Sequence, residues 1–261
     1  MILKTNAIVS RWAPVSETSR MVTWITRDHG RIATMIKGSQ RPKSAFLGQY
    51  DLFYTCELLY YPRERGGAHI ARECCPLKSR DRFRTDWKAA AVASYISDLV
   101  TRVSEQDAPH PELFDLLELA LDDLVAEGAG PAFLAWFELR LLDALGLAPR
   151  LQRCIACPKE LRPSARPVRF AYARGGILCP DCARGESKDT APIGPDVLAT
   201  LAAWQRADTS RAARSTQSTA RQMDDVQNLL GLFLAYHLEI PLKSREVALD
   251  ILRRKLPSAN Y

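Results

Sequence analysis

The 261-residue sequence contains no apolar run of about 18 residues or more, which excludes a conventional membrane-spanning helix. Its opening, MILKTNAIVSRW, lacks the long apolar stretch and small-residue cleavage site of a secretory signal, so a cytoplasmic location is expected. A G-x-S-x-G elbow, a Walker loop and a paired-carboxylate pattern are all missing, and no catalytic residue can be nominated. Histidine is scarce: His29, His69 and His237 read as turn, surface and core residues respectively. Internal repeats and low-complexity tracts are absent too, which leaves an ordinary globular chain.

What is present is unevenly distributed. Residues 1–80 carry 13 Lys and Arg against 6 Asp and Glu, an excess of +7. Residues 81–149 carry 5 against 13, or −8, and residues 150–261 carry 18 against 11, or +7. Alternating blocks of this kind suggest modules with separate partners, and a basic block attracts polyanions.

The first 80 residues have the period of β structure. In RMVTWITRDHGRIATMIKG two β-branched runs flank Asp28-His29-Gly30, whose glycine allows the positive φ of a hairpin turn. With AIVSRWA before them, and QYDLFYTCELLYY and AHIARECCPL after, the count is about five strands, which suits a small barrel such as an OB-fold or a small sandwich. From Thr85, a plausible N-cap, the period becomes helical: Val92, Tyr95, Ile96, Leu99, Val100 and Val103 form one stripe. Phe114, Leu117, Leu121, Leu124 and Val125 form a second behind Pro111. The acidic residues fall between these stripes and read as a solvated face.

PAFLAWFELRLLDALG is apolar on nearly every side, and Gly146 stops it. GPDVLATLAAWQRA begins a fourth helix, the polar stretch DTSRAARSTQSTAR follows, and QMDDVQNLLGLFLAYHLEI forms a long helix that Pro241 ends. Ser244 is the expected cap of a last helix, SREVALDILRRKL. The divisions are therefore 1–80 and a helical 81–261, with the segment 150–185 inserted in the latter.

That inserted segment holds Cys154-x2-Cys157, 21 intervening residues, and Cys179-x2-Cys182. Each pair can offer two thiolates to one tetrahedral ion, so a single structural zinc is expected there. Four thiolates close the coordination shell, whereas a catalytic zinc keeps a position open. His110-Pro111-Glu112 has the H-x-E form of the zinc deaminases, but neither cysteine pair follows a proline as in those enzymes. With few large apolar residues of its own (Phe170, Tyr172 and Ile177), the segment is expected to fold only with its metal. Cys56, Cys74 and Cys75, in predicted strands, read as packing residues.

In the basic block, MIKGSQRPKSAF delivers Lys37, Arg41 and Lys43 within seven residues, and Arg11, Arg20, Arg27 and Arg31 lie on neighbouring strands or loops. Trp12, Trp24, Phe46, Tyr50, Tyr54 and Tyr60 are interleaved with them. Single-strand binders combine cations that follow phosphates with aromatics that stack on bases, though most of these aromatics are expected in the core. Arg11, Arg31, Lys37, Arg41 and Lys43 are the nominated nucleic-acid contacts.

The chain resembles the bacterial RecO family of recombination mediators. The likeness lies in TNAIVSRWAPVSETSRMVTWITRDHGRIATMIKGSQRPKS, in AWFELRLLDALGLAPRLQRCIAC, in GGILCPDC and in PLKSREVALDIL, taken in that order. The resemblance implies an α+β chain with an amino-terminal OB-fold, a mostly helical domain and an inserted zinc module. It also implies a non-enzymatic role in DNA repair and recombination. Such a protein binds single- and double-stranded DNA, anneals complementary strands, and helps exchange single-strand-binding protein for RecA recombinase, usually with RecR. Carried onto this sequence, it points to Lys37, Arg41 and Lys43 for DNA and to Cys154, Cys157, Cys179 and Cys182 for zinc. An apolar pocket for the tail of single-strand-binding protein is implied as well, with helix 222–240 and Arg206, Arg211, Arg214 and Arg221 as candidates. From the residues alone, an OB-fold and zinc-ribbon RNA binder, or a zinc hydrolase or deaminase, remain alternatives.

Overall fold

Alternation of buried and half-exposed side chains builds five strands in the amino-terminal part: β1 (Leu3–Pro14), β2 (Arg20–Thr26), β3 (Gly30–Ile36), β4 (Thr55–Tyr61) and β5 (His69–Lys78). The computed structural model describes residues 1–63, 66–161, 168–185 and 188–254. Its residues form two units, 1–128 and 129–261.

In the first unit the strands close into a barrel in the order β1-β2-β3-β5-β4, with β4 returning to β1. The closure between β3 and β5 is parallel and short, Thr34 opposite His69 and Met35 opposite Ile70. Ala7, Val9, Val22, Trp24, Ile32, Ile36, Leu58 and Tyr60 fill the interior, and the Trp24 indole N–H donates to Thr34 Oγ1 at 2.9 Å. The sandwich alternative is thereby replaced by a closed barrel. Gly30 turns the hairpin at φ 64°, and a Cβ there would overlap the carbonyl of Ala108, so only glycine fits.

Two strand expectations change. Gln49–Tyr54 does not belong to β4: Phe53 takes φ 67° and donates its N–H to Val9 O, breaking the extended run. Cys75 is exposed rather than packed, while Cys56 and Cys74 are buried as expected. His69, expected at the surface, is buried, with Nε2 3.1 Å from Asp107 and Nδ1 accepting from the Arg63 N–H.

α1 (Trp87–Val103) and α2 (Pro111–Glu127) pack against β1 and β2 respectively. Asp86, not Thr85, caps α1 by accepting from the Ala89 N–H at 3.0 Å; the Thr85 hydroxyl is turned back to Arg82 O. The acidic residues of α2 are more than a solvated face. Asp115 pairs with Arg27, and Glu118 and Asp122 receive Lys78 and the buried Arg80.

The second unit is built around α3 (Pro131–Ala144), whose stretch from Phe133 to Leu139 is wholly buried. Around it lie α4 (Pro195–Arg206), α5 (Ser210–Ser215) and α6 (Ala220–Leu238), followed by α7 (Lys243–Arg253). α5 was not anticipated within the polar stretch; Thr209 caps it by accepting from Ala212. Ser244 lies inside α7, whose N-cap position is Leu242 with no side-chain cap. The helix is held instead by Arg245, which donates to both carboxylate oxygens of the fully buried Glu138 at 2.7 and 3.1 Å and to Gln227. Gly231 leaves room for that guanidinium, since a Cβ would lie 2.9 Å from it.

A small sheet of β6 (Arg150–Cys154), β7 (Val168–Ala171), β8 (Gly176–Leu178) and β9 (Ala191–Ile193), in the order β6-β8-β7-β9, carries the cysteines. Phe170 of β7 is fully buried and stacks on Phe233 of α6 at 5.6 Å between ring centroids. The segment therefore borrows part of its core from a helix outside it. His237 is half-buried against Phe233 and meets Tyr172 O at 2.7 Å.

Candidate metal centre and nucleic-acid interface

Each cysteine pair sits on a tight turn. Cys154 ends β6, and the chain doubles back so that the Cys154 N–H reaches Lys159 O at 3.1 Å. Cys179 follows β8, and the turn after it directs the Cys182 N–H to Cys179 Sγ at 3.5 Å. Lys159 of one turn pairs with Asp181 of the other at 2.7 Å, which holds the two together. The four Sγ atoms lie within 4.8 Å of one another, and Cys157 and Cys179 are 3.8 Å apart.

Sulfurs tetrahedrally arranged about 2.3 Å from an ion would be about 3.8 Å apart, whereas a disulfide needs about 2.05 Å. The set therefore fits a four-coordinate soft ion and not a disulfide. Burial opposes ionisation of Cys154, but backbone N–H groups of Cys179, Ala156 and Cys157 outweigh it and pull the thiol down to about 6. Cys182, hydrogen-bonded first to Cys179 and then to Cys157, is pushed up to about 12. The backbone donors thus favour the thiolate at Cys154, the form in which a cysteine ligates a metal. All four protein positions of such a shell are sulfur, and His110 is engaged with Glu112 at 3.2 Å.

The second candidate lies on the barrel. β3 ends at Ile36, and Lys37 opens a loop that Gly38 bends at φ 66°. The loop is pinned by the Gly38 N–H on Ser19 Oγ at 3.3 Å, by the Gln40 N–H on Thr18 O at 3.1 Å, and by the Ser44 N–H on Arg41 O at 2.9 Å. Lys37 and Arg41 line an open recess of about 520 Å³ with Val15, Ser16, Ser19 and Met35, and Lys43 lies exposed just beyond. Arg11 and Arg31 line a different recess, with Ser10, Leu52, Phe53 and residues of α1. The five nominated cations therefore form two groups, three on the loop and two near the helix.

Within the described residues, the five nominated cations fall among those without a carboxylate partner, a group that also holds Arg20, Arg63 and Arg72. In the same unit Lys4, Arg27, Lys78, Arg80, Arg82, Arg84 and Arg102 all have carboxylate partners at 4.0 Å or closer. Arg11, Arg31, Lys37, Arg41 and Lys43 have no ion pair among the described residues, and sequence alone gave no signal of that distinction. Of the interleaved aromatics, Trp24, Tyr50, Tyr54 and Tyr60 are buried, Trp12 and Phe46 pack on the core from its edge, and Arg20 lies 3.9 Å over the Trp12 ring. Cations, not aromatic faces, are what this surface offers to a polyanion.

A closed five-stranded barrel of OB-fold type, followed by a helical unit bearing a cluster of four cysteines that could hold a metal ion, defines the class. Comparison with known proteins narrows it. Residues 1–80 match the family described as Recombination protein O N terminal, and residues 84–246 match Recombination protein O C terminal. "DNA repair protein RecO" of Syntrophus aciditrophicus (strain SB) is 30% identical over 257 residues, covering 97% of both chains. The protein of that name from Anaeromyxobacter dehalogenans (strain 2CP-C) is 32% identical over 245 residues, 93% of this chain and 94% of the relative. That from Roseiflexus sp. (strain RS-1) is 36% identical over 183 residues, 70% of this chain and 62% of the relative. The chain belongs to the RecO family.

Proposed function

We propose that this protein works in recombinational DNA repair as a DNA-binding mediator, without catalysis of its own, annealing complementary single strands and assisting the exchange of single-strand-binding protein for RecA recombinase. The observation that carries this reading is the set of cations on the barrel without carboxylate partners. Annealing requires that phosphate repulsion between two strands be offset while their bases stay free to pair. Unpaired Lys37, Arg41 and Lys43 on a pinned loop, with Arg11 and Arg31 as further contacts, supply charge without occupying bases. In this reading residues 1–80 are the nucleic-acid-binding domain and residues 81–261 the helical domain, with 150–185 as its insertion.

The ion we assign to Cys154, Cys157, Cys179 and Cys182 is zinc, for which four thiolates in a closed tetrahedron are a standard structural shell. It would cross-link the two cysteine turns and position the small sheet. RecR and the tail of single-strand-binding protein are the proposed protein partners. For the tail we assign the recess of about 390 Å³ lined by Ile193, Val197, Leu229 and Leu232, which has Arg221 at its rim. No helix among the described residues is long and apolar enough to cross a membrane, and association with the nucleoid is part of the proposal.

The test is salt-dependent binding and annealing. If roughly 4 to 6 phosphates are contacted, log K should fall against log salt with a slope of roughly −3 to −4 on a single strand. Charge reversal at Lys37, Arg41 and Lys43 together should flatten that slope and abolish annealing while the fold survives. Wild-type affinity and slope in that triple variant would refute the assignment.

A further inference from the structure

The recess that contains Arg11 and Arg31 has a construction of its own. A bulge in β1 between Val9 and Arg11 brings Ser10 and Arg11 to its wall, and Arg31 enters from the start of β3. Arg31 is fixed through its backbone, its N–H donating to Glu105 O and its C=O accepting from the Asp107 N–H. From α1 come Ser94, Asp98, Thr101 and Arg102, spaced four, seven and eight residues along and hence on one helical face. Phe53, held at φ 67° although it is aromatic, and Leu52 supply an apolar wall.

The electrostatics select the ligand. Arg11, Arg31 and Arg102 face a single carboxylate, Asp98, which already accepts from Arg102 at 2.9 Å, so the recess carries a surplus of two positive charges. The Nε of Arg31 is inaccessible and finds no acceptor in the protein. An anion inserted between the arginines would offset the surplus charge that lines the recess. The hydroxyls of Ser10, Ser94 and Thr101 all donate to backbone carbonyls, at 3.2, 2.8 and 2.6 Å, which leaves their lone pairs and Asp98 as acceptors. The recess thus offers cationic donors for a phosphate, acceptors for hydroxyl or amino donors, and an apolar wall. At about 300 Å³ it lies at the small end of the roughly 300–1,000 Å³ of ligand pockets, suited to one small molecule or one chain terminus rather than a continuous strand.

We propose that this recess is a second anion site, taking the phosphate monoester of a single nucleotide. A monoester carries about −1.5 to −2 at neutral pH and matches the surplus charge, whereas an internal phosphodiester carries one negative charge. The site deepens the role given above to Arg11 and Arg31, shares no lining residue with the Lys37–Arg41 recess, and is tested separately from it.

The experiment is calorimetric titration of the full chain with inorganic phosphate, with dAMP and with deoxyadenosine. dAMP should bind more tightly than phosphate, and deoxyadenosine should give no signal. Arg31→Gln and Arg102→Gln should each weaken dAMP about tenfold, the scale of one charge-assisted contact. Asp98→Asn should tighten inorganic phosphate, a gain that misfolding cannot produce. The loop variant reversed at Lys37, Arg41 and Lys43 should retain dAMP binding, and in that background a 5′-phosphorylated single strand is compared with its unphosphorylated twin. Preference for the phosphorylated strand assigns the monoester to a strand end; equal binding of the two assigns it to a free nucleotide. Deoxyadenosine binding as tightly as dAMP, dAMP affinity unchanged in both arginine variants, or no gain in Asp98→Asn overturns the proposal.

Discussion

The barrel and the cysteine module are both small β structures in one chain, and they reach stability differently. The barrel's strands, seven residues or longer, pair on both sides around a closed ring and enclose an apolar interior that includes Trp24 and Tyr60. The module's strands, of three to five residues, form an open sheet whose own apolar cluster is centred on the cysteines. Closure removes edges and encloses enough apolar area to sustain a fold; an open sheet of short strands does neither. The open sheet therefore depends on a cross-link that the closed barrel does not need, and its four converging sulfurs are placed to hold one.

The comparison breaks first, and with the largest effect, at the sulfurs. Chelation of the metal, or Cys179→Ser, should unfold the module, because structural zinc in small modules contributes on the order of 10–16 kcal/mol of apparent binding free energy. Hydrogen exchange should show loss of protection over residues 150–160 and 168–183 with the barrel amides unchanged. Equal protection with and without metal would mean that the borrowed contact between Phe170 and Phe233 suffices.

A smaller effect separates the module from the helices around it. Arg245→Met removes the cation that donates to both carboxylate oxygens of the buried Glu138, which should cost about 3–5 kcal/mol of stability in denaturant titrations while metal content stays at wild type. If that variant also loses its metal, the sheet and the helices are a single cooperative structure.

The smallest effect concerns the barrel at high pH. Burial, with Asp107 and Asp28 adding to it, pushes the Tyr60 phenol up from 10.0 to about 12. The folded barrel holds that proton more tightly than the unfolded chain. The resulting stabilisation is complete below the ordinary value of 10.0 and is lost as pH rises through about 12. Tyr60→Phe should remove that part of the alkaline decline, and identical alkaline melting curves for the two proteins would contradict it.

Local features of this fold were legible in the sequence where short-range chemistry decides them. The Asp28-His29-Gly30 turn, the Pro111 helix start and the two cysteine pairs each depend on neighbouring residues. Phe53 was misread because an aromatic in an apolar run implies a strand, and only its bond to Val9 O reveals the bend. Arg245 and Glu138 lie 107 positions apart, and nothing local to either predicts a buried pair. The same limit applied to the cations: Arg27 and Arg31 look alike in sequence, yet Asp115 neutralises the first and no described carboxylate neutralises the second. The nominated contacts were therefore legible as charges, while their availability depended on where the acidic helix came to rest.

The closure of the barrel has a mechanical consequence. Two residue pairs join β3 to β5, whereas β2 and β3 are matched along seven, so the ring has one short clasp. That clasp ends at Met35, two residues before Lys37. A load on the loop that follows β3 would therefore reach this short clasp before the longer ladders of the ring.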